Sequence, residues 1–269
     1  MKLQGRTAVV TGAASGIGRG ISEALAERGC NLAVADLNED GLAETAALAE
    51  AKGVRVSRHR IDVANRDAVM AFPDKVLAEH GRADLLFNNA GVAIGGTFEQ
   101  VAEEDFDWLM SINFHAVVRM TRAFLPLLRA GEEGRIVNIS SIFGIIAPPG
   151  QTAYSASKFA VRAFSESLRR ELEMEGANVG VTVVHPGGVA TSIAKSARPP
   201  RGANIDHEAQ TKRFEKFLRM PPREAGETIV KGVEKRKARV IVGNDAKFMA
   251  LVERIAPVAY WKLLGRGMK

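Results

Sequence analysis

One cysteine, Cys30, is all that 269 residues carry. A single thiol cannot close an internal disulfide, so a reducing compartment is expected. There is no run of about 18 apolar residues, the length a membrane-spanning helix needs. The opening Met1-Lys2-Leu3-Gln4-Gly5-Arg6 lacks the apolar stretch of a signal peptide and leads directly into a strand-like run. The histidines are scattered without ligand spacing, so no metal site is expected. His185 lies inside a strand and reads as a core histidine rather than a base. These absences point to a soluble, cytoplasmic protein. Its 46% hydrophobic and 25% charged residues are ordinary, and its length suits one large α/β domain or two small ones.

Charge is not scarce but is unevenly placed. Residues 1–194 hold 19 Lys and Arg against 23 Asp and Glu, a net of −4, and residues 195–269 hold 18 against 8, a net of +10. A basic end on a slightly acidic body can meet an anionic substrate group or an acidic membrane surface, or simply be a solvated face. No nucleic-acid partner is expected.

Thr7-Ala8-Val9-Val10 is a short apolar strand, followed by Thr11-Gly12-Ala13-Ala14-Ser15-Gly16-Ile17-Gly18 and a helical face through Ile21 and Leu25. Strand, glycine turn and helix N-terminus together make a phosphate site, because the first N–H groups of a helix are unpaired and its dipole favours anions. Gly12 permits the tight turn, Gly16 admits a pyrophosphate to the backbone, and Gly18 lets helix and strand pack closely. The second strand, Asn31 to Asp36, ends in an acid 18 residues beyond Gly18. A carboxylate there accepts hydrogen bonds from ribose hydroxyls and repels a 2′-phosphate. Ser15 stands where a basic residue could, so NAD is preferred over NADP. Arg19, one step past the turn, is the reservation.

Val54 to Val63 reads as a strand ending in Asp62-Val63, which could bond and wall an adenine. Asn65 to His80 reads as one helix, which Pro73 should kink or whose start it should displace. The strand Ala83 to Phe87 leads to Asn88-Asn89-Ala90-Gly91, which suits a turn approached closely by a ligand. Glu103 to Leu128 is a long helical segment in which Asn113 is intrinsically poor. Arg135 to Ile139 is a further strand, ending in Ser140-Ser141.

Tyr154 and Lys158 then open an apolar-periodic helix after Pro148-Pro149-Gly150. At spacing i, i+4 they share a face. A phenol with an ordinary pKa of about 10 is too weak a base at neutral pH, and an adjacent cation favours its phenolate. The pair reads as a tuned proton-transfer group.

The ordered set Thr11-Gly12-x-x-x-Gly16-x-Gly18, Asn88-Asn89-Ala90-Gly91, Asn113, Ser141, Tyr154-x-x-x-Lys158 and Pro186-Gly187 resembles the classical short-chain dehydrogenase/reductases, over about 190 of the 269 residues. The resemblance implies one doubly wound Rossmann domain with a seven-stranded parallel sheet and helices on both faces. It implies a catalytic tetrad of Asn113, Ser141, Tyr154 and Lys158. Tyr154 would move the proton, Ser141 would hold the substrate oxygen, Lys158 would lower the Tyr154 pKa and bond the nicotinamide ribose, and Asn113 would position a water leading to solvent. Ser141 is preferred to Ser140, which on the same strand would face the other way. Pro186-Gly187 would flank the nicotinamide, with Val189 and Thr191 available to its carboxamide. The activity implied is hydride transfer between a secondary alcohol or ketone and NAD.

Beyond Ser192 the resemblance says little. Residues 192–220, rich in Lys, Arg and Pro, should be a substrate lid. The tail 245–269 alternates basic and bulky apolar residues. It could cover a lipophilic substrate, lie on a membrane surface, or pack on its own domain or a sister subunit. Small and apolar residues on several faces of the helices carrying Asn113 and Tyr154 (Ala116, Val117, Ala160, Ala163, Phe164) suggest a homodimer or homotetramer. Two other functions compete: a 3-oxoacyl-thioester reductase using NADPH, whose basic lid grips a phosphate-bearing carrier, and a non-catalytic nucleotide-binding scaffold.

Overall fold

The computed structural model describes residues 1–193, 196–200 and 217–265. Its frame is a parallel sheet of seven strands in the order β3-β2-β1-β4-β5-β6-β7. The strands are β1 (Thr7–Thr11), β2 (Asn31–Asp36), β3 (Val56–Arg60), β4 (Leu85–Asn88), β5 (Gly134–Ile139), β6 (Val179–Pro186) and β7 (Arg239–Val242). Central strands of such a sheet are covered on both faces and read as continuous apolar runs. Every residue of β1 is accordingly buried.

Successive residues feed opposite cores, as the two-residue period of a strand requires. Val10, Leu32, Val34, Phe87 and Val137 join one cluster with Ile21 and Leu25 of α1 (Gly16–Ala26) and with Ile229. Val9, Ala33, Leu86 and Ile136 join the other with Phe72, Phe124 and Leu172. Each fully buried large side chain contributes roughly 1.5–3 kcal/mol. The remaining helices are α2 (Glu39–Glu50), α3 (Arg66–Met70), α4 (Phe72–His80), α5 (Glu103–Met110), α6 (Ala116–Ala130), α7 (Thr152–Met174), α8 (Pro222–Glu234), α9 (Asn244–Ile255) and α10 (Tyr260–Leu264).

Three expectations change here. Residues 65–80 are two helices: Asn65 caps α3 by accepting from the Ala68 N–H, and α4 restarts with Pro73 in its first turn. A proline there gives up an N–H that has no helical partner, so its effect is to place a helix start. The long helical segment expected from Glu103 to Leu128 is present, but α5 passes into α6 through a π turn over Ser111–His115 rather than as one regular α-helix. The edge strand β3 is shorter than Val54 to Val63 and only partly buried.

Strand order reverses between β1 and β4, which pair Val9 with Leu86 and Val10 with Phe87. At such a reversal the connections leave in opposite directions and a crevice opens at the carboxyl ends of the strands.

Candidate active site

A cavity of about 980 Å³ lies at that edge. The glycine loop forms one side of it. Gly12 has φ +64°, and a Cβ on it would lie 2.8 Å from the Ala90 Cα. A Cβ on Gly18 would overlap the Gly12 carbonyl oxygen, so the close packing expected of that glycine is present, although Gly18 itself does not line the cavity. Ser15 precedes α1 without a side-chain cap, and the first turn holds no acid. Its N–H groups are left for an anion.

The loop is pre-set by its neighbours. Thr11 Oγ1 accepts from the Asn89 and Ala90 N–H groups at 3.0 and 3.1 Å, and Asn89 Nδ2 donates to the Thr11 and Gly12 carbonyls at 3.0 and 3.1 Å. Asp36 lines the cavity with its carboxylate accepting from the Ala14, Leu37 and Asn38 N–H groups. Arg19 faces away toward α2. Its guanidinium bonds Glu44 at 2.7 Å, Thr45 Oγ1 at 3.0 Å and the Ala14 carbonyl at 2.6 Å.

Asp62 and Val63 do not join the lining. Asp62 caps its own turn by accepting from the Ala64 N–H, and Val63 is buried. Gly16, Ile17, Gly91, Pro186, Gly187, Val189 and Thr191 do line it.

Tyr154, Lys158 and Ser141 meet at the centre. The Tyr154 hydroxyl is hydrogen-bonded to Ser141, and Ser141 Oγ also accepts from the Phe143 N–H at 3.1 Å. Because β5 ends at Ile139, the alternation argument for choosing between the serines does not reach them, and both line the cavity. They differ in partners: Ser140 Oγ donates to the Lys158 carbonyl at 2.8 Å. Lys158 Nζ donates to the Ile139 carbonyl at 3.1 Å and lies 5.6 Å from the Tyr154 ring centroid.

The expected lowering of the Tyr154 pKa by Lys158 is absent in this arrangement. Burial pushes the phenol up to about 12, against a smaller downward pull from the Ser141 hydrogen bond. Burial likewise pushes Lys158 down to about 8. Each group loses more by leaving water than it gains from the other at this separation.

Asn113 is buried outside the lining, in the π turn, and its amide is spent on tethering. Oδ1 accepts from the Val92 N–H at 2.8 Å, and Nδ2 donates to the Val92 carbonyl at 3.0 Å and to Ser157 Oγ at 3.2 Å. These bonds offset the poor helical propensity of Asn. A Cβ on Gly91 would sit 3.2 Å from Asn113 Oδ1 and 3.5 Å from Lys158 Nζ, so Asn113 holds the post-β4 loop against the lysine. His185 is a core residue as expected: its Nδ1–H donates to the Ser141 carbonyl at 2.9 Å, and burial holds it down to about 4.

The other end of the cavity is apolar, with Ile94, Ile142, Phe143, Phe248, Met249 and Leu264 among its walls. Of the expected lid, residues 194–195 and 201–216 lie outside the described residues, as do 266–269 of the tail. The described flanks are anchored. Arg198 stacks 3.6 Å from the Trp108 ring centroid and bonds Asp105 at 2.8 Å. The Met220 N–H donates to the Gly188 carbonyl. Asp245 accepts from the Gly188 N–H at 2.7 Å, tying the start of α9 to the turn after β6. Sequence reasoning missed these anchors, because no local pattern marks an Arg–Trp stack between residues 90 apart. The tail packs inward on Ile142, Phe143, Ile145 and Ile146, and Tyr260 accepts from the Ala147 N–H at 2.9 Å.

A doubly wound parallel sheet with a glycine turn at a helix N-terminus and a carboxylate lining the crevice at its switch point defines the dinucleotide-binding class of folds. Comparison with known proteins narrows this class. The family described as short chain dehydrogenase matches residues 6–202. The Mycobacterium tuberculosis protein "Putative oxidoreductase SadH" is 44% identical over 98% of this chain and 96% of its own length. A 3-oxoacyl-[acyl-carrier-protein] reductase, FabG of Thermotoga maritima, is 33% identical over 72% of this chain and 78% of its own length. A short-chain dehydrogenase/reductase from Burkholderia phymatum, solved in complex with NAD, superposes with a TM-score of 0.88 at 29% identity, covering 95% of both chains. The chain belongs to the short-chain dehydrogenase/reductase family and is an oxidoreductase that works with a nicotinamide dinucleotide.

Proposed function

We propose that the protein is an NAD-preferring enzyme that interconverts a lipophilic secondary alcohol and its ketone. The observation that carries this reading is the Tyr154 hydroxyl, bonded to Ser141 in one cavity with Lys158, between the glycine loop and an apolar wall. The residues fit the cofactor. Uncapped N–H groups of α1 suit the pyrophosphate, Asp36 suits the ribose hydroxyls, and Lys158 with the turn Pro186–Thr191 lies where the nicotinamide half would end. When bound, the nicotinamide accepts or supplies the hydride.

The protein's own residues handle the proton and the geometry. Ser141 holds the substrate oxygen within reach of Tyr154. Tyr154 as the phenol, its form at neutral pH, gives its proton to a ketone oxygen during reduction, and as the phenolate it takes the proton from the alcohol during oxidation. Lys158 orients the cofactor ribose and supplies positive charge beneath the phenol. Asn113 fixes the Gly91–Val92 edge beside Lys158, where a water can pass protons to solvent.

Preference for NAD is supported by Asp36 and by Arg19, whose guanidinium is occupied by Glu44, Thr45 and the Ala14 carbonyl. Lipophilic substrate is supported by the phenylalanine, isoleucine, methionine and leucine walls. A homo-oligomer is supported by exposed Phe159 and Ala163 on α7, whereas Ala116 and Val117 of α6 are consumed by the domain's own core. The test is a panel of alcohols and ketones of rising chain length with NAD(H) and NADP(H), followed by nicotinamide absorbance. Turnover that rises with chain length and favours NAD(H) supports the reading. NADPH preference with activity on 3-oxoacyl thioesters alone would replace it.

A further inference from the structure

The C-terminal segment has two apolar faces, and the described residues of the domain cover only one. Ala246, Met249, Ala250, Tyr260 and Leu264 turn inward. Outward, Phe248, Leu251 and Ile255 recur at helical spacing on α9, exposed by 61%, 55% and 74%; Val258 and Leu263 extend the surface, exposed by 94% and 59%. Lys247 and Arg254 fall on the same stripe of α9, and Lys262 lies beside Leu263, all exposed. Among the described residues none of these three cations has an ion-pair partner; Lys247 has only the Asn244 side chain at 3.5 Å. The acids of α9 are turned elsewhere: Asp245 is held by the Gly188 N–H, and Glu253 is half-buried.

An exposed apolar stripe edged by unpaired cations is the pattern of a helix lying in a lipid–water interface. The cavity wall reaches the same place. Phe248 belongs to both the exposed stripe and the cavity wall, and half-exposed Phe217 lines the cavity beside it. We propose that the outer face of α9 and α10 docks on an anionic lipid bilayer, so that the apolar compartment opens toward the membrane. The docking stands on the surface alone, whereas delivery of substrate from the bilayer rests on the lipophilic-substrate reading above. A second copy of the chain fits the face poorly. A two-fold contact through it would bring the same cations together without acids to meet them.

The experiment is co-sedimentation of the full chain with phosphatidylcholine vesicles, with or without an equal share of phosphatidylglycerol. The expected result is binding to the anionic vesicles that weakens as salt is raised. The double variant Leu251→Asp/Ile255→Asp should lose more than about tenfold in partition. Replacing Lys247, Arg254 and Lys262 by Gln should lose about fivefold per cation. NAD binding, followed by protein fluorescence, and the melting temperature check that both variants are folded; loss of NAD binding by the parent chain would strike the cofactor reading instead. Absence of binding to anionic vesicles, or binding that neither variant weakens, overturns the proposal. So does sedimentation velocity in which Leu251→Asp/Ile255→Asp splits an oligomer, since the face would then belong to a second copy.

Discussion

The two ends of the cavity are built differently. At the cofactor end, backbone does most of the work: glycine φ values, the Thr11–Asn89 bonds and the uncapped start of α1 shape the site. At the apolar end, side chains do it, contributed by segments far apart in sequence such as Ile94, Phe143 and Leu264. Backbone shape is demanding and tolerates few residue types, so it leaves a motif. An apolar wall needs only volume and hydrophobicity, so many sequences satisfy it and none is diagnostic.

That contrast can be broken or sharpened by experiment. Tyr154→Phe removes the hydroxyl proposed to carry the proton between the two ends. Turnover should fall about a thousandfold while NAD affinity stays near that of the parent, as stopped-flow rates and fluorescence titration will read. Near-normal turnover would remove Tyr154 from the chemistry. The pH dependence is next in size. Burial holds the phenol protonated, up to about 12, so oxidation of an alcohol, which needs the phenolate, should climb about tenfold per pH unit on the acid side of its plateau. Ketone reduction, which needs the phenol, should not climb with it. Parallel profiles in both directions would contradict the assignment.

Asp36→Ala tests the cofactor end alone. It should shift the NAD over NADP preference in kcat/KM by about tenfold, the worth of hydrogen bonds to a charged group. An unchanged ratio would leave Asp36 a purely structural turn residue for Ala14, Leu37 and Asn38. The smallest effect belongs to the apolar end. Tyr260→Phe leaves the Ala147 N–H without its acceptor, a loss of about 1 kcal/mol and hence a melting temperature lower by about 2–4 °C. No change in melting would mean that the tail does not secure the loop leading to α7.

The nucleotide half was legible because each signal there is local. Gly12, Gly16 and Gly18 sit within seven residues, Asp36 ends the next strand, and Tyr154 and Lys158 share one helical turn. Other roles depended on what packs against the residue. The sequence left open whether Pro73 kinks a helix or displaces its start, and the structure has the displaced start; Asp62 caps its own turn outside the cavity lining; and the mid-helix Asn113 sits in a π turn, its amide bonds reaching Val92 and Ser157. The balance of the Tyr154–Lys158 pair also went the other way. Spacing predicts proximity, but burial of both groups is set by the whole cavity.

From its order of residues alone, this chain dictates a parallel sheet, a glycine turn into a helix N-terminus and an i, i+4 phenol–amine pair, because periodicity and backbone conformation act over a few residues at a time. Which groups are desolvated, which arginine is already occupied and which side of the tail is left bare follow only once distant segments are pressed together. Dielectric surroundings and surface coverage belong to the assembled molecule, and no short stretch of sequence contains them.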